Sequence, residues 1–144
     1  MIREIDKSEL GALLALYKHL KDEELLLDDD GKKVWEEIFE DKNYHIIVAE
    51  EEGEIVSSCT LVIIPNLTHH HHPYALIENV VTHKSYRGRG LATDCLDYAS
   101  KLAEKKNCYK ILLLTGSKQE STLNFYRRAG FNSEDKTAFI KWLK

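Results

Sequence analysis

Apolar residues along this chain recur with two periods, and each switch of period marks a boundary between elements. Ile2 to Ile5 reads as a short strand. Leu10, Leu13, Leu14, Tyr17 and Leu20 then fall three or four apart, which predicts a helix to about Leu20 with one apolar face. Asp6 and Glu9 stand just before it with the spacing of a capping box. Lys21 to Asp30 is acidic and interrupts the period. After Gly31 a second short helix is predicted, with Val34, Trp35, Ile38 and Phe39 on one face. Tyr44 to Ala49 is rich in β-branched residues and reads as a strand. Glu51-Glu52-Gly53 reads as a tight turn, and Glu54 to Ile64 as the hairpin partner. Pro65 to Pro73 is a loop holding the run His69 to His72, and Tyr74 to Thr82 is the next strand. Gly90 to Lys106 predicts a long helix whose apolar face is Leu91, Cys95, Ala99, Leu102 and Ala103. Tyr109 to Thr115 is a strongly apolar run, the signature of a central buried strand. Lys118 to Ala129 reads as a helix stopped by Gly130, and Thr137 to Leu143 as a final strand.

That order predicts an α/β (α+β) fold with a mixed, mostly antiparallel sheet and flanking helices. One strand-helix-strand crossover, Tyr74 to Thr115, sits in the middle of the sheet and should be parallel and right-handed. The length of 144 residues fits one domain, 1–144, with one core. The turn of the crossover lies at the carboxyl end of its first strand, where open α/β sheets bind ligands.

The turn itself is Tyr86-Arg87-Gly88-Arg89-Gly90-Leu91-Ala92. A glycine-rich turn opening a helix gathers backbone N–H groups at the positive end of the helix dipole, which makes an anion site suited to a pyrophosphate. Arg87 and Arg89 add charge, and the amides from Arg87 through Gly88, Arg89, Gly90, Leu91 and Ala92 to Thr93 are the candidate donors. Neither common nucleotide loop is present, since there is no Gly-x-Gly-x-x-Gly and no Gly-Lys-Ser/Thr. A glycine-rich connection with no ligand is the competing reading.

The segment resembles the acyl-CoA-binding motif of the GNAT superfamily of N-acetyltransferases, Arg/Gln-x-x-Gly-x-Gly/Ala, matched by Arg87, Gly90 and Ala92. Downstream, Phe125-Tyr126-Arg127-Arg128-Ala129-Gly130-Phe131 resembles the closing Tyr-x-x-x-Gly-Phe motif of that family. The resemblance runs from about Tyr44 to Phe131. It implies acetyl-CoA as cosubstrate and two parallel strands that splay apart. The backbone of Val80 and Val81 would pair with the pantetheine arm, one N–H there serving the thioester oxygen. It also implies a tyrosine, Tyr126, that protonates or hydrogen-bonds the leaving thiolate. The bland alternative for Tyr126 is an amphipathic core tyrosine on a helix face. Many relatives carry an asparagine seven residues before the tyrosine and an alanine four before it. This chain has Gln119 and Thr122 there, with Asn124 out of register, so Gln119 is the candidate for that contact with the CoA arm.

Glu78 stands out within Leu76-Ile77-Glu78-Asn79-Val80-Val81, because a carboxylate in a half-buried strand needs a partner or a job. An amine with a pKa near 10 must lose a proton before it attacks a thioester, and Glu78 is the candidate general base. Its alternative is a carboxylate on a solvated face or in a salt bridge. Asn79 should face the opposite way if the strand is regular.

The remaining features are less specific. Asp22 to Asp30 holds six carboxylates around Leu25 to Leu27, either a lure for a cationic small-molecule or peptide amine or a solvated acidic loop. Four adjacent histidines, His69 to His72, cannot all face one ion without unusual backbone, so no metal is expected. Cys59, Cys95 and Cys108 include no Cys-x-x-Cys and read as reduced structural thiols of a cytoplasmic protein. A net charge of -4 with scattered basic residues argues against nucleic acid, and no apolar run suits a membrane. Family members are often dimers, which makes the final strand, Thr137 to Leu143, a possible edge for pairing between copies.

Overall fold

The computed structural model describes residues 1–21, 25 and 27–144. It divides into two compact units, Met1–Leu113 and Leu114–Lys144.

In the first unit the elements follow the predicted order. β1 (Ile2–Glu4) leads through a 3-10 turn into α1 (Leu10–Tyr17). Asp6 and Glu9 form the expected capping box, and Glu9 is gripped with Glu50 by Arg3, at 2.8 and 2.6 Å. Then come α2 (Asp29–Glu40), β2 (Tyr44–Glu51) and β3 (Glu54–Ile64). α2 begins before Gly31, because the Asp28 side chain accepts the Gly31 N–H at 2.8 Å and caps the helix three residues earlier than expected. The β2–β3 hairpin closes on Glu52 and Gly53, both at positive φ (52° and 81°), the two-residue turn whose twist suits paired strands. A single turn, α3 (Thr68–His71), precedes β4 (Tyr74–Thr82), α4 (Leu91–Lys105) and β5 (Ile111–Leu113).

The sheet order is β1-β2-β3-β4-β5, antiparallel except for the parallel pair β4–β5. Each face has its own core. Ile46 and Val48 pack with Ile5, Leu13 and Trp35 beneath α1 and α2. Ile47, Cys59, Leu61 and Ile77 alternate onto the face where α4 brings Cys95, Leu96 and Ala99, all of them buried.

Two expectations fail. Tyr109 to Thr115 was expected as a central buried strand, but β5 has three residues, is half-buried and lies at the sheet edge. Thr137 to Leu143, in the second unit, was expected as a strand and forms none, with Phe139, Ile140, Trp142 and Leu143 exposed. One physical cause accounts for both, since strand pattern is realised only where a neighbouring strand supplies the ladder. The second unit's one regular element is α5 (Glu120–Arg128).

Candidate functional site

β4 ends at Thr82, and the chain passes through a 3-10 turn (Lys84–Tyr86) into the glycine turn and α4. Gly88 and Gly90 take φ of 77° and 81°, where a side chain is strained even though nothing crowds either position. Gly90 is the N-cap of α4 and offers no side chain to it. The amides of Leu91, Ala92 and Thr93 are thus at the open positive end of a 15-residue helix. Leu91 is buried and anchors the helix start, while Ala92 and Thr93 are half-buried. The two arginines brace the turn. Arg87 Nε donates to the Thr82 carbonyl at 3.2 Å, and Arg89 bonds Glu51 at 3.3 Å while lying 4.8 Å from the Tyr86 ring centroid.

β4 is irregular where it matters. Asn79 takes φ 53°, and two residues of β4, Asn79 and Val80, stand opposite one residue of β3, Cys59. This is a β-bulge, seeded by a residue type that tolerates left-handed backbone. Pairing with β3 resumes at Val81, which is buried and accepts a hydrogen bond from Ser57 Oγ at 3.0 Å. Pairing with β5 stops at Ile77. From Glu78 to Thr82, then, the β5 side of β4 carries no ladder partner within the first unit. β5 itself ends at Leu113, the partner of Ile77. The sequence carried the signal of the bulge, an asparagine inside an apolar strand, but not its meaning.

Glu78 lies opposite Thr60 on the α1–α2 face and is exposed, not half-buried as its neighbours in sequence suggested. Beneath it lies a group of hydroxyls that sequence reading did not pick out. Burial raises the pKa of the Tyr17 phenol, and the nearby Thr60 hydroxyl and Asn79 amide pull it back down. Burial likewise raises that of Tyr44, with the charge of Glu78 adding to the rise. Thr60 Oγ1 is buried without a hydrogen-bond partner among the described residues, so these hydroxyls meet without closing a network.

His19 and His83 stack with ring centroids 4.1 Å apart. His19 Nδ1 accepts the Lys84 N–H at 3.4 Å and His83 Nδ1 accepts the Ser85 N–H at 3.0 Å, so the two imidazoles hold the entry to the glycine turn. Desolvation, then the charges of His83, Lys84 and Arg87, push the His19 pKa below its ordinary value. The folded chain therefore binds this proton less readily than the unfolded chain, and stability falls as pH drops through the ordinary histidine value of about 6.5. In melts at stepped pH, His19→Gln should flatten part of the decline below neutrality. Superimposable pH profiles for the variant and the natural protein would refute this.

In the second unit, the closing motif is a helix stop. Gly130 takes φ 96°, its N–H donates to the Arg127 carbonyl at 3.0 Å, and the Phe131 N–H donates to the Tyr126 carbonyl at 3.1 Å. These two bonds make a Schellman motif, and the Tyr126 and Phe131 rings meet edge-on at 6.4 Å, the apolar contact that accompanies it. The half-buried Tyr126 is thus fixed in the last turns of α5. Gln119 is the exposed N-cap residue of α5, and its side chain makes no cap bond.

Other candidates resolve differently. Asp22, Glu23, Glu24 and Leu26 lie outside the described residues. Asp28 caps α2, and Asp29 and Asp30 occupy its first turn, where carboxylates favour the helix dipole. His69, His70 and His71 all take left-handed φ (54°, 57° and 65°), and the His69 ring stacks 3.9 Å from that of Tyr109. No group of three or more possible metal ligands occurs among the described residues. Burial pushes the Cys95 thiol up to about 11 and Cys59 higher still, so neither is a nucleophile near neutrality. A cavity of about 200 Å³ is lined by Glu4, Ile38, Phe39, Tyr44 and His45 among others, and none of the predicted site residues borders it.

A glycine turn opening an uncapped helix thus stands beside a strand whose pairing with its parallel neighbour has ended. The profile of the Acetyltransferase (GNAT) family matches residues 12–131, and the chain belongs to that family. A putative acetyltransferase from Agrobacterium tumefaciens str. C58 superposes with a TM-score of 0.91 at 35% identity, covering 99% of each chain. A transcriptional regulator from Bacillus halodurans C-125 gives 0.87 at 28% identity, again over 99% of each. Glucosamine 6-phosphate N-acetyltransferase of Trypanosoma brucei brucei is 35% identical over 60 residues, which is 42% of this chain and 39% of that relative. No helix among the described residues is long and apolar enough to cross a membrane.

Proposed function

We propose that residues 1–144 act as one domain, a cytoplasmic acetyl-CoA-dependent N-acetyltransferase that acetylates a primary amine by direct attack in a ternary complex. The observation that carries this reading is the free edge of β4 beyond Ile77, running into the uncapped start of α4. The amides of Gly88 to Thr93 suit a pyrophosphate, and the backbone of Val80 and Val81 suits the amide-bearing arm behind it. Glu78 takes the proton from the attacking amine. The nitrogen bonds the acetyl carbon, the carbon–sulfur bond breaks, and Tyr126 delivers a proton to the departing thiolate. The high thiol pKa values of Cys59 and Cys95 favour this route over a cysteine-bound acyl group. The name of the Trypanosoma relative supports a small-molecule amine as acceptor. A homodimer belongs to the same reading, and the exposed C-terminal segment supports it.

Thermal melting with acetyl-CoA, against ATP and NAD, tests the donor. Acetyl-CoA at 100 times its Kd should stabilise the protein by about 2.7 kcal/mol. Gly90→Val should retain the fold and lose most of that shift, because a β-branched residue at φ 81° distorts the turn. No shift, or an equal shift with ATP, would overturn the assignment. A second reading, an acyl-CoA-binding regulatory module, is favoured by the name of the Bacillus structure. It predicts the same shift with no thiol release across a panel of amines.

A further inference from the structure

We propose that the acceptor is a short amino alcohol whose hydroxyl is bound by the phenols of Tyr17 and Tyr44, an inference that rests on the transferase reading and names the substrate class of the same site. Three neighbouring strands gather the residues on one face of the first unit. Ile46 of β2, Thr60 of β3 and Glu78 of β4 stand in one cross-strand row. Tyr44, two residues before Ile46, lies on the same face one step along. Tyr17 ends α1 and packs, like Tyr44, against the apolar cluster on that face. Both tyrosines are half-buried, so an incoming molecule reaches them.

Thr60 is the incomplete part of this arrangement. It is 1% exposed, and its Oγ1 has no hydrogen-bond partner among the described residues. A buried hydroxyl left unpaired is costly and calls for a reason. Burial raises the pKa of each phenol, and the Thr60 hydroxyl lies close enough to both to pull it back down. Thr60 is closed off from solvent, so a ligand meets the phenols and not Thr60 itself. When a phenol turns its O–H toward a ligand hydroxyl, its oxygen is left free to accept from Thr60. The orphan then gains its partner, and the two bonds in series strengthen each other. Thr60 is thus a positioning residue, and Tyr17 and Tyr44 are the groups that touch the acceptor.

The chemistry of these groups selects the ligand class. Tyr17, Tyr44, Thr60 and the nearby Asn79 carry no charge to pair with a second ammonium or a phosphate. They donate to and accept from a neutral hydroxyl. A plain alkylamine would cover the phenols and leave their hydroxyls unpaired, which a site built to bond a hydroxyl rejects strongly. Spacing sets the size. Thr60 and Glu78 are directly opposed, which places their Cβ atoms about 4.5–5.5 Å apart. An amine at Glu78 and a hydroxyl at the phenols above Thr60 therefore belong to one small molecule, with the two groups on adjacent or nearly adjacent carbons.

Thiol release from acetyl-CoA, with 2-amino-1,3-propanediol and isopropylamine as acceptors, tests this on one carbon skeleton with and without hydroxyls. The natural protein should favour the aminodiol by at least about 100-fold in kcat/KM. Tyr44→Phe and Tyr17→Phe should each lower that ratio about tenfold, and the difference in basicity of the two amines cancels between variant and natural protein. Thr60→Val should lower the ratio too, yet melt no lower than the natural protein, because it removes an unpaired hydroxyl at constant shape. A Thr60 of merely structural role would give the reverse, a lower melting point and an unmoved ratio. If Tyr17→Phe does not fold, the Tyr44 and Thr60 variants decide. Equal turnover of the two amines, a preference for putrescine over the aminodiol, or a ratio indifferent to the tyrosines overturns the proposal and leaves the transferase standing. An acetyl-CoA melting shift with no thiol release from any amine overturns both.

Discussion

Glu78→Gln should lower kcat at neutral pH by about 10²–10⁴-fold, the usual span of a lost general base. An acceptor amine is mostly protonated near neutrality and becomes a nucleophile only when a base takes its proton. Glu78 stands exposed on the α1–α2 face, beside the bulge at Asn79. The substitution keeps size and polarity and removes only the ability to accept a proton. The deficit should shrink as pH rises toward the amine's own pKa of about 10, because solvent then does the work. Acetyl-CoA affinity, read by melting, should stay unchanged. A deficit constant across the pH range would make Glu78 a structural or substrate-binding residue, and undiminished turnover at neutral pH would remove it from the mechanism.

Tyr126→Phe should lower kcat by about 100-fold while leaving acetyl-CoA binding nearly intact. A departing thiolate with a conjugate acid near pKa 8.5 gains from a phenol that protonates it or donates to it. The Schellman stop explains why this phenol could be placed so firmly. The Tyr126 carbonyl receives the Phe131 N–H, and its ring meets the Phe131 ring. Since phenylalanine preserves both contacts, α5 should fold as before. Two results together would identify a proton donor: a drop in kcat with unchanged KM for acetyl-CoA, and partial relief with a donor whose thiol is more acidic. A collapse of acetyl-CoA affinity would instead make the side chain a binding or packing element.

The features legible in the sequence are those whose physics is local. Gly88, Gly90 and Gly130 each occupy left-handed backbone that glycine adopts readily, so the turn and the helix stop could be read from a few consecutive residues. The capping box at Asp6 and Glu9 and the Glu52-Gly53 turn are of the same kind. The periods of two and 3.6 likewise placed the helices and four of the five strands, because they record which side of each element meets a core.

What escaped sequence reading depends on partners distant in the chain. Asn79 bulges because β3 offers one residue where β4 has two, and that register is settled by the whole hairpin. Glu78 is exposed although its neighbours in sequence are apolar, because burial depends on what packs over a position and not on the residues beside it in the chain. His19 reaches His83 across 64 positions only once α1 lies on the sheet. The pattern in 109–115 predicted a central buried strand and that in 137–143 a final strand, yet the first unit makes only a three-residue edge strand of the one and 137–143 forms no strand. The sequence by itself determined the turns, the helix stops and the order of elements, since these rest on backbone sterics and nearest-neighbour hydrogen bonds. Tertiary structure alone decided register, burial and edge, because each is a relation between segments that meet only after the chain has folded.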